Sequence, residues 1–195
     1  MAGVVNINKI MAHDHQILDV RKNGAFIFND ILLVDFRQQK LGDLLKDVIA
    51  QRNHLTHMVK RYMSEDARIV GQEKANVVNV LHVLVRSLSA LFMKLYDQQF
   101  ASEFVTKLTV SEGKEGFLIQ GKMDPNEVNV HFSLEKWVSE YLDDAISHLV
   151  KDFQAAIKDH EISVAEKVQL VADLDNLLLQ CLQAFYLMRT GAVFS

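Results

Sequence analysis

A single proline, Pro125, and eight glycines are all that interrupt 195 residues with strong helix breakers. Proline removes a backbone donor and clashes with the preceding turn, and glycine loses the most backbone freedom on folding. A chain this poor in breakers can wind into long helices, and its apolar residues recur at helical spacing. Hydrophobic residues make up 49% of the chain and charged residues 24%, enough apolar material for one packed core.

The spacing predicts five helices. The first covers residues 6–22, with Ile7, Ile10, Met11, Ile17 and Leu18 on one face and Asn23-Gly24 as its stop. The second covers residues 40–63, and its stripe includes Leu41, Val48, Leu55 and Val59. The third covers residues 74–96. The fourth comes after Ser133 and carries Leu134, Val138, Leu142, Ile146, Leu149 and Phe153. The fifth opens on Ser163-Val164-Ala165-Glu166, where serine and a glutamate three residues on form a capping box.

Between the third and fourth helices the pattern changes to period two. Residues 117–123 read as a strand, 124–127 as a turn around Pro125, and 128–132 as the return strand. Residues 104–110 add a third strand. Residues 25–36 read as either a hairpin or a buried helix, with strand slightly preferred. The fold class expected is mainly α (α+β). It is a bundle of about five helices with a small antiparallel β hairpin or meander inserted near residues 104–132, in a single domain spanning 1–195.

No basic region leading into an apolar run opens the chain, so no signal peptide is expected, which points to a cytoplasmic location. The most apolar stretch, residues 77–95, is broken by Asn79, His82, Arg86 and Lys94. It therefore reads as a buried helix, with no membrane insertion. The net charge of -4 argues against a nucleic-acid binder, which ordinarily carries a basic face. Cys181, the only cysteine, sits among leucines and reads as an inert buried thiol.

Histidines are the first candidates for chemistry. His13, His15, His54 and His57 form a weak metal-ligand set, and a metal-binding helical bundle is one alternative reading. On the second helix, however, His54 and His57 fall opposite the apolar stripe, beside Asp43, Asp47 and Arg61. His148 lies four residues from both Asp144 and Asp152, an arrangement that reads as a solvated face.

Asp14 and Arg52 each interrupt an apolar stripe. An unpaired buried charge is costly, so each is expected to find a partner, the simplest being an Asp14–Arg52 ion pair. Lys60, Arg61 and Arg68 make a short basic patch and support a second alternative, a nucleic-acid-binding regulator. No phosphate-binding loop, Gly-x-Ser-x-Gly or Cys–His arrangement is present, so no catalytic or cofactor-binding residue is assigned. The helices over residues 74–96 and from 163 onward are apolar around more than half their circumference. That breadth points to a non-enzymatic protein-interaction or regulatory protein, self-associating as a homo-oligomer.

Overall fold

A computed structural model describes residues 18–20, 25–30, 39–65, 71–96, 98–113, 116–122, 134–159 and 161–189. The chain is mostly helical, with four long helices among the described residues. Helix α1 is Leu41–Glu65 and α2 is Gly71–Leu95. Helix α3 is built from three consecutive stretches: Leu134–Lys136, Trp137–Leu142 wound as π-helix, and Asp143–Ile157. Helix α4 is Val164–Arg189.

The expected first helix is not among these four. Residues 6–17 lie outside the described residues. Leu18–Val20 forms a strand (β1) that pairs antiparallel with Ala25–Asp30 (β2). Leu18-Asp19-Val20 alternates apolar, polar and apolar, so the same residues satisfy period two once a neighbouring strand is present.

Two further strands, β3 (Thr109–Gly113) and β4 (Gly116–Lys122), pair antiparallel, and β4 also pairs with β2. The strand expected over residues 104–110 begins later than its alternation suggested. Phe104 and Leu108 are buried in the helical core, and that packing takes residues 104–108 out of the ladder. The turn at 124–127 and the return strand at 128–132 lie outside the described residues.

Helix α2 is the central element. It packs along α1 on one side and α4 on the other, and Val77, Leu81, Leu84, Val85, Leu88 and Leu91 are all fully buried. By length and composition alone Ala75–Leu95 could cross a membrane, but 72% of its most apolar window is buried inside the protein. Two of its polar residues are accommodated locally. The hydroxyls of Ser87 and Ser89 donate to the carbonyls of Val83 and Val85 at 3.2 and 2.6 Å, one turn back along the helix.

Helix directions are set by short links and side-chain register. Residues 66–70 join α1 to α2, and residues 158–163 join α3 to α4. Links this short between helices that pack together make each pair antiparallel. Between α1 and α3, Arg52 Nη1 donates to Ser147 Oγ at 2.8 Å and Thr56 Oγ1 donates to Asp143 Oδ1 at 2.9 Å. One residue number rises as the other falls, so α1 and α3 are antiparallel too. Helices α2 and α3 therefore point the same way. Only a long crossover, residues 96–133, can connect them, and the β3–β4 pair lies within it.

The crossover is tied to α4 by Asp175. This aspartate is 3% exposed, and its two carboxylate oxygens accept the backbone N–H groups of Lys107 and Leu108, each at 2.9 Å. Helix α4 itself opens as the capping box requires. Ser163 N–H donates to Glu166 Oε1, and Glu166 N–H donates to Ser163 Oγ, both at 3.2 Å.

Candidate functional site

The seam between α3 and α4 differs from that between α1 and α3. Where α1 meets α3, two hydrogen bonds close the surface. Between α3 and α4 the surface opens into a cleft of about 390 Å³, lined by residues that include Tyr141, Asp144, His148, Leu149, Asp173 and Leu177. A second cleft of about 250 Å³ continues the seam, with Asp152, Ala155 and Ala156 on one wall and Glu166, Gln169 and Leu170 on the other. Small side chains explain the furrow: Ala145 and Ala155 leave space at the surface, above Leu149, Leu170 and Leu177, which stay buried in the core.

The π-helical turn Trp137–Leu142 sits at one end of this furrow. A π-turn inserts a residue into the helical repeat and shifts the phase of the turns beyond it. Here Ser139 Oγ donates to the Glu135 carbonyl at 2.8 Å, and the rings of Trp137 and Tyr141 stack with centroids 6.1 Å apart. Tyr141 is half-buried against α4. Burial is the main reason its phenol pKa is pushed up to about 12, and the nearby Cys181 thiol adds to it. Cys181 is fully buried, and burial pushes its thiol pKa up as well. Both groups keep their protons at neutral pH, so neither is a ready base or nucleophile.

Asp173 is the electrostatic centre of the seam. Its Oδ1 accepts Gln169 Nε2 at 3.0 Å, its Oδ2 is buried, and the Asp152 carboxyl lies within hydrogen-bonding reach of the side chain. Burial raises its carboxyl pKa above the ordinary value. The hydrogen bond from Gln169 opposes that rise, and so does the neighbouring His148; Asp152, facing it from α3, reinforces it. His148 Nε2 lies 3.8 Å from Asp152 Oδ2 and is 76% exposed, so this pair is a weak surface contact. The furrow thus brings together carboxylates from both helices: Glu140, Asp144 and Asp152 on α3, and Glu166 and Asp173 on α4.

The residues singled out from the sequence lie elsewhere. His54, His57, Lys60 and Arg61 are exposed on α1, and none of them lines the furrow. His13, His15, Asp14 and Arg68 lie outside the described residues. Among the described residues, no group of three or more His, Cys, Asp or Glu side chains is placed to hold a metal ion. Arg52 is half-buried, and besides Ser147 it donates from Nε to Asn53 Oδ1 at 3.1 Å. The sequence groups Asp144, His148 and Asp152 on one solvated helix face, and the structure adds Asp173 to them. Their convergence on one furrow depends on how α3 and α4 pair. Sequence reasoning missed Asp175 as a buried anchor.

No protein-family model, no characterised protein and no solved structure matches this chain.

Proposed function

We propose that this is a non-enzymatic helical interaction protein of the cytoplasm, and that the α3–α4 side of the bundle is its docking face. The observation that carries the reading is the furrow itself. It sets the half-buried Tyr141 and Ala145 and the exposed Ala155 among carboxylates from both helices, a mix of aromatic and charged groups on which a partner's side chains can seat. Tyr141, which lines it, and Cys181, buried behind it in α4, are both held protonated. The small antiparallel β element near residues 104–132 belongs to the same reading, as a brace that holds α2 and α3 in their parallel arrangement while α4 is anchored through Asp175.

Homo-oligomerisation is part of this proposal, although the apolar breadth of α2 does not carry it. Val77, Val78, Val80, Leu81, Leu84 and Val85 are all buried within the chain. Among the described residues, the exposed large hydrophobics are Val105 and Val164.

Photo-crosslinking separates these cases. A photoreactive amino acid is placed at Glu140 or Asp144 on the docking face, and at Lys46 on the exposed side of α1. Adducts to one and the same partner segment from both furrow positions, and none from Lys46, are expected. A second copy of the chain gives an adduct of twice the mass. Adducts formed equally from Lys46, or from none of the positions, would remove the docking face.

A further inference from the structure

We propose that the furrow between α3 and α4 binds a basic segment of a partner protein, with an arginine or lysine side chain entering beside Asp144 and Asp173 over Tyr141 and Ala145. This deepens the interaction reading and rests on it.

Charge complementarity carries the choice of occupant. Five carboxylates line the two clefts, and no lysine or arginine does. The single basic side chain in the lining, His148, is engaged with Asp152 and mostly exposed. The negative charge is therefore not balanced within the furrow. The Asp152 carboxyl faces Asp173 from the opposite helix, within hydrogen-bonding reach of it, and the two charges repel. A guanidinium or ammonium group entering beside them offsets the repulsion and meets the exposed carboxylates of Asp144 and Glu140, and hydrogen bonds between ionised partners are the strong ones.

The floor suits such a side chain as well as the rim does. The methylene stem of arginine or lysine packs on apolar surface while its charged end meets carboxylates, and the half-buried Ala145 and Tyr141 provide that surface. The Tyr141 ring at the same cleft offers a face for a cation. The first cleft, about 390 Å³, falls within the ordinary range for a bound side chain or small ligand. From Glu140 to Ala156 the α3 wall runs about 24 Å at the helical rise. That length accommodates several turns of a helix or a short extended segment, so more than one basic residue can be engaged.

The experiment is a fluorescence-anisotropy titration with two short labelled peptides, an amphipathic arginine–leucine sequence and its glutamate–leucine counterpart. The parent protein is compared with Asp144→Asn/Asp173→Asn in the furrow. It is also compared with Asp43→Asn/Asp47→Asn on the exposed side of α1, which removes the same charge elsewhere. The expected result is saturable binding of the arginine peptide only. The furrow variant should weaken it at least about tenfold, and the α1 variant should change it less than about twofold. Glu140→Gln/Asp144→Asn, both at exposed positions, repeats the comparison without touching a packed residue.

Equal weakening by the α1 variant would show general attraction to an acidic protein and would overturn the proposal. So would binding of the two peptides alike, or binding of neither. Crosslinks from Glu140 and Asp144 alongside such a result would leave the interaction reading standing with a non-basic partner. Absence of those crosslinks would remove the interaction reading as well.

Discussion

Oδ1 of Asp175, buried in α4, accepts the backbone N–H of Leu108 at 2.9 Å. Together with the neighbouring bond from Lys107, this side chain fixes where the crossover leaves the helical core. Leu108 is 2% exposed, so its N–H has no ready replacement in water. Removing the carboxylate strands buried donors, at about 1–3 kcal/mol for each group left unsatisfied. Asp175→Ala is expected to lose roughly 2–4 kcal/mol in urea denaturation, with Asp175→Asn in between because it keeps one acceptor. A loss under about 0.5 kcal/mol, the low end for a single hydrogen bond, would mean that the crossover is not held there.

Asp173 is expected to behave in the opposite sense. Its folded carboxyl pKa is raised above the ordinary 3.8, so the folded protein takes up this proton more readily than the unfolded chain. Its contribution to stability is then fully present below 3.8 and is lost as pH rises through the folded value. At neutral pH the charge is a cost, and Asp173→Asn removes it. Thermal melts should place the variant slightly above the parent at neutral pH, by a few tenths of a kcal/mol for a partly exposed group. That advantage should fade as pH falls from the raised folded value toward 3.8, and be gone below it. A variant less stable than the parent at neutral pH would contradict the assignment.

Across the α1–α3 seam, Arg52 and Ser147 should be coupled. A charged donor on a neutral hydroxyl at a half-exposed site contributes about 0.5–1 kcal/mol. A double-mutant cycle of Arg52→Ala and Ser147→Ala is expected to show coupling of that size. Strictly additive losses would mean that Arg52 is held by something else.

The Cys181 thiol is fully buried and its pKa is raised by that burial. Under native conditions a thiol-specific alkylating reagent should therefore modify it only as fast as the protein opens. Adding denaturant should accelerate the reaction steeply. Labelling at the rate of a free thiol in the native state would contradict the packing of α4 on α2 and α3.

These relationships divide by how much of each is legible in the chain. Helices α1, α2, α3 and α4 are readable because Leu44, Val48, Leu55 and their counterparts repeat at the helical period, and that period needs no knowledge of the fold. The capping box at Ser163 and Glu166 is readable for the same local reason. Leu18–Val20 reads as helix from the sequence because its strand character emerges only when β2 lies beside it.

Asp175 stands between Leu174 and Asn176 and looks like a surface residue. Its burial is imposed by residues 104–108, far away in the sequence. The furrow is illegible for two reasons. The π-turn at Trp137–Leu142 shifts the helical phase by a residue, which regular periodicity does not register. And Asp152 meets Asp173 only through the antiparallel pairing of α3 with α4.

The most direct measurement on the docking face is amide chemical-shift mapping with the arginine–leucine peptide on isotope-labelled protein. Concentration-dependent shifts clustered over residues 140–156 of α3 and 166–177 of α4, and little change along the exposed side of α1, are the expected result. Shifts centred on α1, or spread evenly over the surface, would contradict a docking face at the α3–α4 furrow.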